Sequence, residues 1–394
     1  MERQKLRPQV ILLGLVSLLN DSASEMIYPL LPVFLTSTLG ATPFVVGMIE
    51  GSADALSSIL KLAAGWISDH MPKRKPLIVG GYALATISRV WIALASAWPG
   101  VLGARLLDRT GKGIRSAPRD AMIADVTPPE SRGKAFGFHR ALDHTGAVIG
   151  PLLAIVFLDA MRLPMRTVFL IAVIPGAIGV VLLMFALREV GVRTGFSRSG
   201  RLKPALTLSK RFWFALACIA IFSLANSSDA FLLLQAHDAG VSTGMLPMLW
   251  AAHHVIKSLF STQAGARSDI VDRRNLLALG WASYALIYFA FPFAKTLLYF
   301  VILFIAYAIP FTLTEGAERA WIGDLVPAEL RGRSFGLYYL VTGLFVLAGT
   351  AIFGALYQSV SHRAAFFVGG SIALLASAGV GFHHRGDGGD GVKT

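Results

Sequence analysis

Between Arg105 and Asp125 the chain reads RLLDRTGKGIRSAPRDAMIAD. At about 100° per residue, Arg105, Arg109, Lys112, Arg115 and Arg119 fall within roughly a third of a helix circumference, with Asp108 among them. Upstream, LLNDSASEMIYPLLP places Asp21 and Glu25 one helical turn apart with Tyr28 on the same side. The next apolar run carries Glu50, Asp54 and Lys61 on one side, and further on come Arg89, Arg140 and Asp143. Carboxylates beside fixed cations can release a proton and take it back as a solute comes and goes, which is the chemistry of exchange. The alternative for these acids is plain neutralisation of the cationic stripe.

The elements that hold these charges are apolar. Of 394 residues, 55% are hydrophobic and only 15% charged, and mean hydropathy is +0.62, above that of a soluble domain. Runs of about 20 apolar residues follow one another at roughly 10–37, 43–68, 76–97, 98–122, 135–160, 165–187, 212–236, 243–266, 275–294, 296–322, 334–358 and 363–382. The pattern predicts an all-α membrane protein with twelve transmembrane helices. A lone cation at the bilayer centre costs at least about 2.5 kcal/mol, so the charged faces must line a protein interior or a watery cavity.

Net charge is +13, yet the cations do not gather into one soluble basic face, so nucleic acid is not the expected partner. They sort by membrane side instead. With both termini cytoplasmic, the inside segments carry Arg3, Lys5, Arg7, Lys73, Arg74, Lys75, Arg132, Lys134, the run from Arg188 to Arg211, Arg267, Arg273, Arg274, Arg331, Arg333, Arg385 and Lys393, and the outside only Arg162, Arg166, Lys295 and Arg363. The basic start with Ser22-Ala23-Ser24 could pass for a signal peptide. Asn20, Asp21 and Glu25 inside the run, and its length, favour a first span. The single cysteine, Cys218, excludes an internal disulfide and a CxxC-type zinc site.

The chain repeats itself. Gly65, Ser68, Asp69 and Arg74 of LAAGWISDHMPKRK recur as Gly265, Ser268, Asp269 and Arg274, and RDAMIADVTPPESRGKAFG recurs as ERAWIGDLVPAELRGRSFG, pairing Asp125 with Asp324, Glu130 with Glu329, Arg132 with Arg331 and Gly137 with Gly336. Asn226 echoes Asn20. The spacing predicts two pseudo-symmetric six-helix halves: residues 1–187 and 212–382, joined by a basic cytoplasmic linker at 188–211 and followed by a cytoplasmic tail at 383–394.

These residues resemble the major facilitator superfamily over nearly the whole chain. The turn after the second span is similar to that family's motif A, GxxxDRxGRR, with His70, Met71 and Lys73 departing from the pattern. The resemblance implies that Asp69 caps a neighbouring helix and that Arg74 pairs with Asp125. Asp269, Arg274 and Asp324 are the second copy, and with Arg132 and Arg331 they form a cytoplasmic gate. HTGAVIGPLLA, with Gly146, Gly150 and Pro151, resembles the antiporter motif C, GxxxGPxxGG; close helix packing is its plainer reading. Arg105 stands near the position of the motif B arginine, with Asp108 and Arg109 replacing the usual glutamine and glycine.

The expected function is secondary active transport by alternating access: proton-coupled efflux of an anionic or metal-related solute. Asp21, Glu25, Asp54, Arg105, Asp108, Arg109, Lys112 and Asp143 form the proton-coupling cavity, while Asn226, Asp229, His254, Glu315 and Glu318 face substrate in the second half. A divalent-metal exporter, a multidrug exporter and a non-transporting receptor are the alternatives. Enzymatic activity is not expected, since GKGIRS lies in a membrane helix without the strand of a P-loop. Adjacent His253 and His254 point to different helix faces and make no joint metal site. No cofactor is expected. The partners are the small-molecule or ion substrate, protons and the lipid bilayer, and the chain is expected to be a monomer in a bacterial cytoplasmic (inner) membrane. Reporter fusions at Arg193 and Lys393 should both read as cytoplasmic; a periplasmic signal at either would remove the six-plus-six topology.

Overall fold

The computed structural model describes residues 6–41, 43–189, 208–227, 232 and 246–386. Among these residues the chain is helical, without strands. We label the long helices α1 (Pro8–Ile27), α2 (Pro43–His70), α3 (Lys75–Leu94), α4 (Trp98–Val126), α5 (Arg132–Ile155), α6 (Met165–Ala186), α7 (Lys210–Ala225), α8 (Leu246–Ser268), α9 (Arg273–Ala290), α10 (Leu297–Asp324), α11 (Arg331–Ser359) and α12 (His362–Gly386). Eight helical stretches are long and apolar enough to cross a membrane; α2, α4, α7 and α8 are not among them. For α4 the reason is its charge: this 29-residue helix carries all five cations of the stripe.

Proline sets the irregularities. At Pro29 and Pro32 the α1 helix passes into a 3-10 turn at Tyr28–Leu30, a single α-turn at Leu31–Val33 and a wide turn at Phe34–Thr38, because each proline removes a backbone donor. Pro151 lies inside α5, which ends in a second wide turn at Val156–Ala160.

The described residues form two compact units. Unit 1 is Met1–Pro128, Phe138–Arg201 and Pro327–Leu340, and unit 2 is Pro129–Gly137, Leu202–Val326 and Val341–Thr394. In unit 1, α4 packs on α2 and α3, and α6 packs on α1 and α3. In unit 2 the same scheme recurs six helices later: α10 packs on α8 and α9, and α12 on α7 and α9. Each unit also contains a short stretch from the other half of the sequence. Unit 1 takes in the start of α11, and unit 2 the start of α5.

Those borrowed helix starts are held by paired aspartates. In unit 1, Asp69 accepts from the N–H groups of Gly332 and Arg333, both at 2.7 Å. In unit 2, Asp269 accepts from Gly133 and Lys134, again at 2.7 Å each. A carboxylate here satisfies two N–H groups that have no partner inside their own helix, and it meets the positive end of the helix dipole. Burial pushes the Asp269 carboxyl up from its ordinary value, opposed by the Lys134 N–H, the Arg273 charge and the Gly133 N–H. Close approach is possible because both sides of each crossing are glycine. A Cβ on Gly65 would strike the Gly332 carbonyl, and one on Gly265 would strike that of Gly133.

Arginines complete each turn. Arg74 lies 3.6 Å from Asp69 and 3.4 Å from Asp125, and Arg331 reaches Asp125 at 2.5 Å. In unit 2, Arg132 reaches Asp324 at 2.5 Å, but the counterpart of Arg74 is Arg273, at 3.1 Å from Asp269 and 2.9 Å from Asp324. The expected Arg274 is turned to Asp272 instead, at 2.9 Å. The cause is one missing residue. Asp69 and Asp269 are 200 positions apart, whereas Asp125 and Asp324 are 199 apart, so the second turn is a residue shorter and its arginine comes one position earlier.

Asp69→Ala and Asp269→Ala should each lower thermal stability in detergent, by about 1–2 kcal/mol for the lost cap. Gly265→Leu should do worse, since backbone stands where the side chain would go. Unchanged melting of all three variants would show that these crossings hold nothing together.

Candidate functional site

In unit 1, α1, α3 and α4 enclose a cavity of about 200 Å³ whose lining includes Asp21, Glu25, Arg89, Arg105, Asp108, Arg109, Lys112 and Arg115. Six of the eight residues expected to share a cavity therefore do. Asp54 and Asp143 lie outside the lining. Asp54 is on α2, with a side chain 67% exposed, 3.0 Å from Arg109. Asp143 is buried on α5 beside Arg140, at 2.9 Å, and His139, at 3.6 Å.

The arginines at one end of the stripe are neutralised by the second helix. Arg105 makes a forked contact with Glu50, at 2.9 Å and 2.6 Å, and reaches Asp108 at 3.2 Å. Tyr28 stacks beneath its guanidinium at 5.7 Å. Arg109 lies 3.0 Å from Asp54 and 3.9 Å from Glu50. Two parallel N–H···O contacts fix the plane of a guanidinium, so this end of the stripe is rigid. The far end leaves the cavity altogether: Arg119 turns to Asp120 at 3.0 Å, and Asp120 in turn accepts from the Tyr339 hydroxyl.

The middle of the cavity is different. Among the described residues, Asp21 and Glu25 make no ion pair within 4.0 Å, and Asp21 accepts only from Asn20, at 3.0 Å. Lys112 is exposed to the cavity and likewise has no ion-pair partner among the described residues. Buried Arg89 donates to the Asn20 carbonyl, the Asn20 side chain and Ser24, at 3.1, 2.7 and 2.9 Å, which leaves its second terminal nitrogen without a partner. Arg115 stacks on Tyr82 at 4.4 Å, and its Nε has no partner. Among the described residues the cavity thus holds two carboxylates without ion pairs together with Lys112, while the unpartnered nitrogens of Arg89 and Arg115 are themselves buried and not exposed to it.

Glycine places the carboxylates. A Cβ on Gly146 would meet the Leu18 carbonyl at 2.6 Å and Asp21 at 3.0 Å, and one on Gly150 would meet the Ser22 carbonyl at 2.5 Å and Glu25 at 2.8 Å. The GxxxGP run, with Pro151 next in line, therefore seats α5 against the face of α1 that carries both acids.

In unit 2, Lys257 is bound to Glu315 at 2.7 Å and stacks over Phe311 at 4.7 Å. Glu318 is buried on the same helix. Trp250 meets His254 edge to face at 5.3 Å, and Asn226 ends α7 through its backbone N–H. Asp229 lies outside the described residues. An aromatic cluster that reaches His253 through Tyr307 has no signature in the sequence. Tyr284, Tyr288, Tyr307, Phe300 and Phe304 are fully buried, so these rings are core and not lipid-facing stock. Tyr339 was also missed; a tyrosine on α11 gives no sign that it will reach Asp120 on α4.

The chain matches the family model described as Major Facilitator Superfamily over residues 13–253 and 213–387. It is 30% identical over 386 residues to an uncharacterized MFS-type transporter of Methanocaldococcus jannaschii, covering 95% of this chain and 94% of that one. A shorter stretch of 129 residues is 33% identical to the multidrug resistance protein MdtH of Photorhabdus laumondii, covering 32% of each chain. Among solved structures, the human organic anion transporter MFSD10 superposes with a TM-score of 0.77 at 15% identity, over 95% of this chain and all of that one, which shows the fold. A family match across nearly the whole chain joins the apolar helices already described: the protein is an integral, multi-pass membrane protein that belongs to the major facilitator superfamily, whose members are transporters and not enzymes.

Proposed function

We propose that this transporter is a proton-coupled exporter of an anionic solute, a metal chelate included. One observation carries the reading: among the described residues, the unit 1 cavity holds Asp21, Glu25 and Lys112 without ion pairs, with Arg89 and Arg115 in the same lining. The solute anion binds to Lys112 and its neighbours, and the two carboxylates carry the proton. Anion and carboxylate compete for the same cations, so solute arrival favours protonation of the acid and departure favours its release. Arg105 and Arg109, locked to Glu50, Asp54 and Asp108, fix the frame in which that exchange occurs.

Further parts of the scheme rest on the same reading. The two six-helix halves rock as twelve spans, with both termini cytoplasmic. The aspartate turns at Asp69, Arg74, Asp125 and Arg331, and at Asp269, Arg273, Arg132 and Asp324, latch the cytoplasmic ends. Glu315, Glu318 and His254 complete the substrate path in the second half. The stretch of identity with a multidrug resistance protein supports a second reading, export of lipophilic drugs. Against it stands a cavity rich in fixed charge.

The test is flux in liposomes, with and without an imposed pH gradient, over organic anions, metal ions, metal chelates and dyes. Asp21→Asn or Glu25→Gln should abolish uphill transport driven by the gradient and leave counterflow. Full uphill transport by both would place coupling elsewhere. Lys112→Ala should weaken apparent affinity for the anion about tenfold or more, the value of a lost charge-assisted hydrogen bond. Arg105→Ala, which strands Glu50 and Asp108, should impair both modes.

A further inference from the structure

The duplicated architecture has one corner that is capped from outside the turn in unit 1 and from within it in unit 2. In unit 1, the start of α3 is closed by a carboxylate from beyond α6: Glu189 accepts from the Arg74 N–H at 2.8 Å and from the Lys75 N–H at 3.1 Å. The matching helix start in unit 2 is that of α9, where Arg273 and Arg274 stand at the positions of Arg74 and Lys75. There the cap comes from Asp272, two residues earlier in the same turn, which accepts from the Arg274 N–H at 2.8 Å. Beside this turn lies a cavity of about 290 Å³. Its lining brings Arg211 from α7 together with Arg273, Arg274, Asp272 and Asp324, against a wall made by Phe214 and Trp321.

We infer that this corner is a second anion-binding site, separate from the transport cavity, and that its ligand bears a phosphate group. The charge count favours an anion. Arg273 is balanced by Asp269 and Asp324, and Arg274 by Asp272, but Arg211 is exposed and has no ion-pair partner among the described residues. Arginine forks suit phosphate oxygens in pairs. The space exceeds what a carboxylate needs, being about ten times the volume of a water in the liquid, so a phosphate and the group esterified to it fit together. The apolar wall suits a ligand with a carbon skeleton on one side of its phosphate.

Two sources share this chemistry, a glycerophospholipid headgroup and a free phosphate ester. The purified full chain in neutral detergent is titrated with phosphatidylglycerol, glycerol 3-phosphate and inorganic phosphate, with binding followed by native mass spectrometry and thermal shift. The wild type should bind at least one of them, and the Arg211→Ala, Arg274→Gln double variant should bind it at least about tenfold more weakly, as expected for two lost charge-assisted contacts. Arg162→Ala, far along the sequence from this corner, should match the wild type. Binding of phosphatidylglycerol that the two soluble phosphates do not displace identifies a lipid headgroup; displacement identifies a free phosphate ester. Arg211→Ala alone removes no ion pair, so it gives the answer if the double variant does not fold. Failure of the wild type to bind any of the three, or equal binding by wild type, Arg211→Ala and the double variant, overturns the site.

Discussion

An ion leaves water for a hydrocarbon-thick protein interior only if other charges or fixed dipoles replace its hydration, and that constraint organises unit 1. Five cations on one face of α4 demand acids on the helices around it. Glu50 and Asp54 come from α2, Asp108 and Asp120 from α4 itself, and the Tyr339 hydroxyl supports Asp120. Once those pairs are made, what is left over is informative. Among the described residues Lys112, Asp21 and Glu25 have no ion-pair partner, and they meet in one cavity.

The second organising fact is that two packings of one motif have solved a common problem in slightly different ways. Each aspartate turn satisfies two helix N–H groups, and each is ringed by two arginines and a second aspartate. The shorter unit 2 turn moves the arginine by one position and frees Arg274 to bind Asp272. The same shortening supplies unit 2 with an internal cap, so it does not need the carboxylate that Glu189 gives unit 1.

Much of this was legible in the sequence because hydropathy and charge spacing are strong signals in membrane helices. Most of the apolar runs mark the described helices to within a turn or so, although α7 ends at Ala225 and not at 236, and the helical spacing of Arg105, Arg109 and Lys112 puts them on one face. The identity of each partner was not legible. Arg105 and Arg109 stand equally near, in pattern, to acids on α1 and α2, and only packing decides for Glu50 and Asp54. Arg119 shares the stripe by angle, but one more turn of helix carries it past the cavity to Asp120. The move from Arg274 to Arg273 is legible in the repeat spacing, which falls by one between Asp269 and Asp324. The buried tyrosine cluster left no trace, because an aromatic facing lipid and an aromatic in a core look alike in one sequence.

The two borrowed helix starts bear on how the chain is made. The cap on Asp69 is supplied by Gly332, 263 residues later. At a synthesis rate of about 5–20 residues per second, roughly 13–50 seconds separate the two at the ribosome. Unit 1 is therefore unfinished while all of α7 through α10 is being inserted, with its glycine crossing at Gly65 bare and its aspartate uncapped. Unit 2 has no such wait, because Gly133 and Lys134 are already in place when Asp269 emerges. The aspartate turn that is synthesised first is the later of the two to be closed, and whatever shields a nascent membrane protein must guard the Asp69 turn for that whole interval.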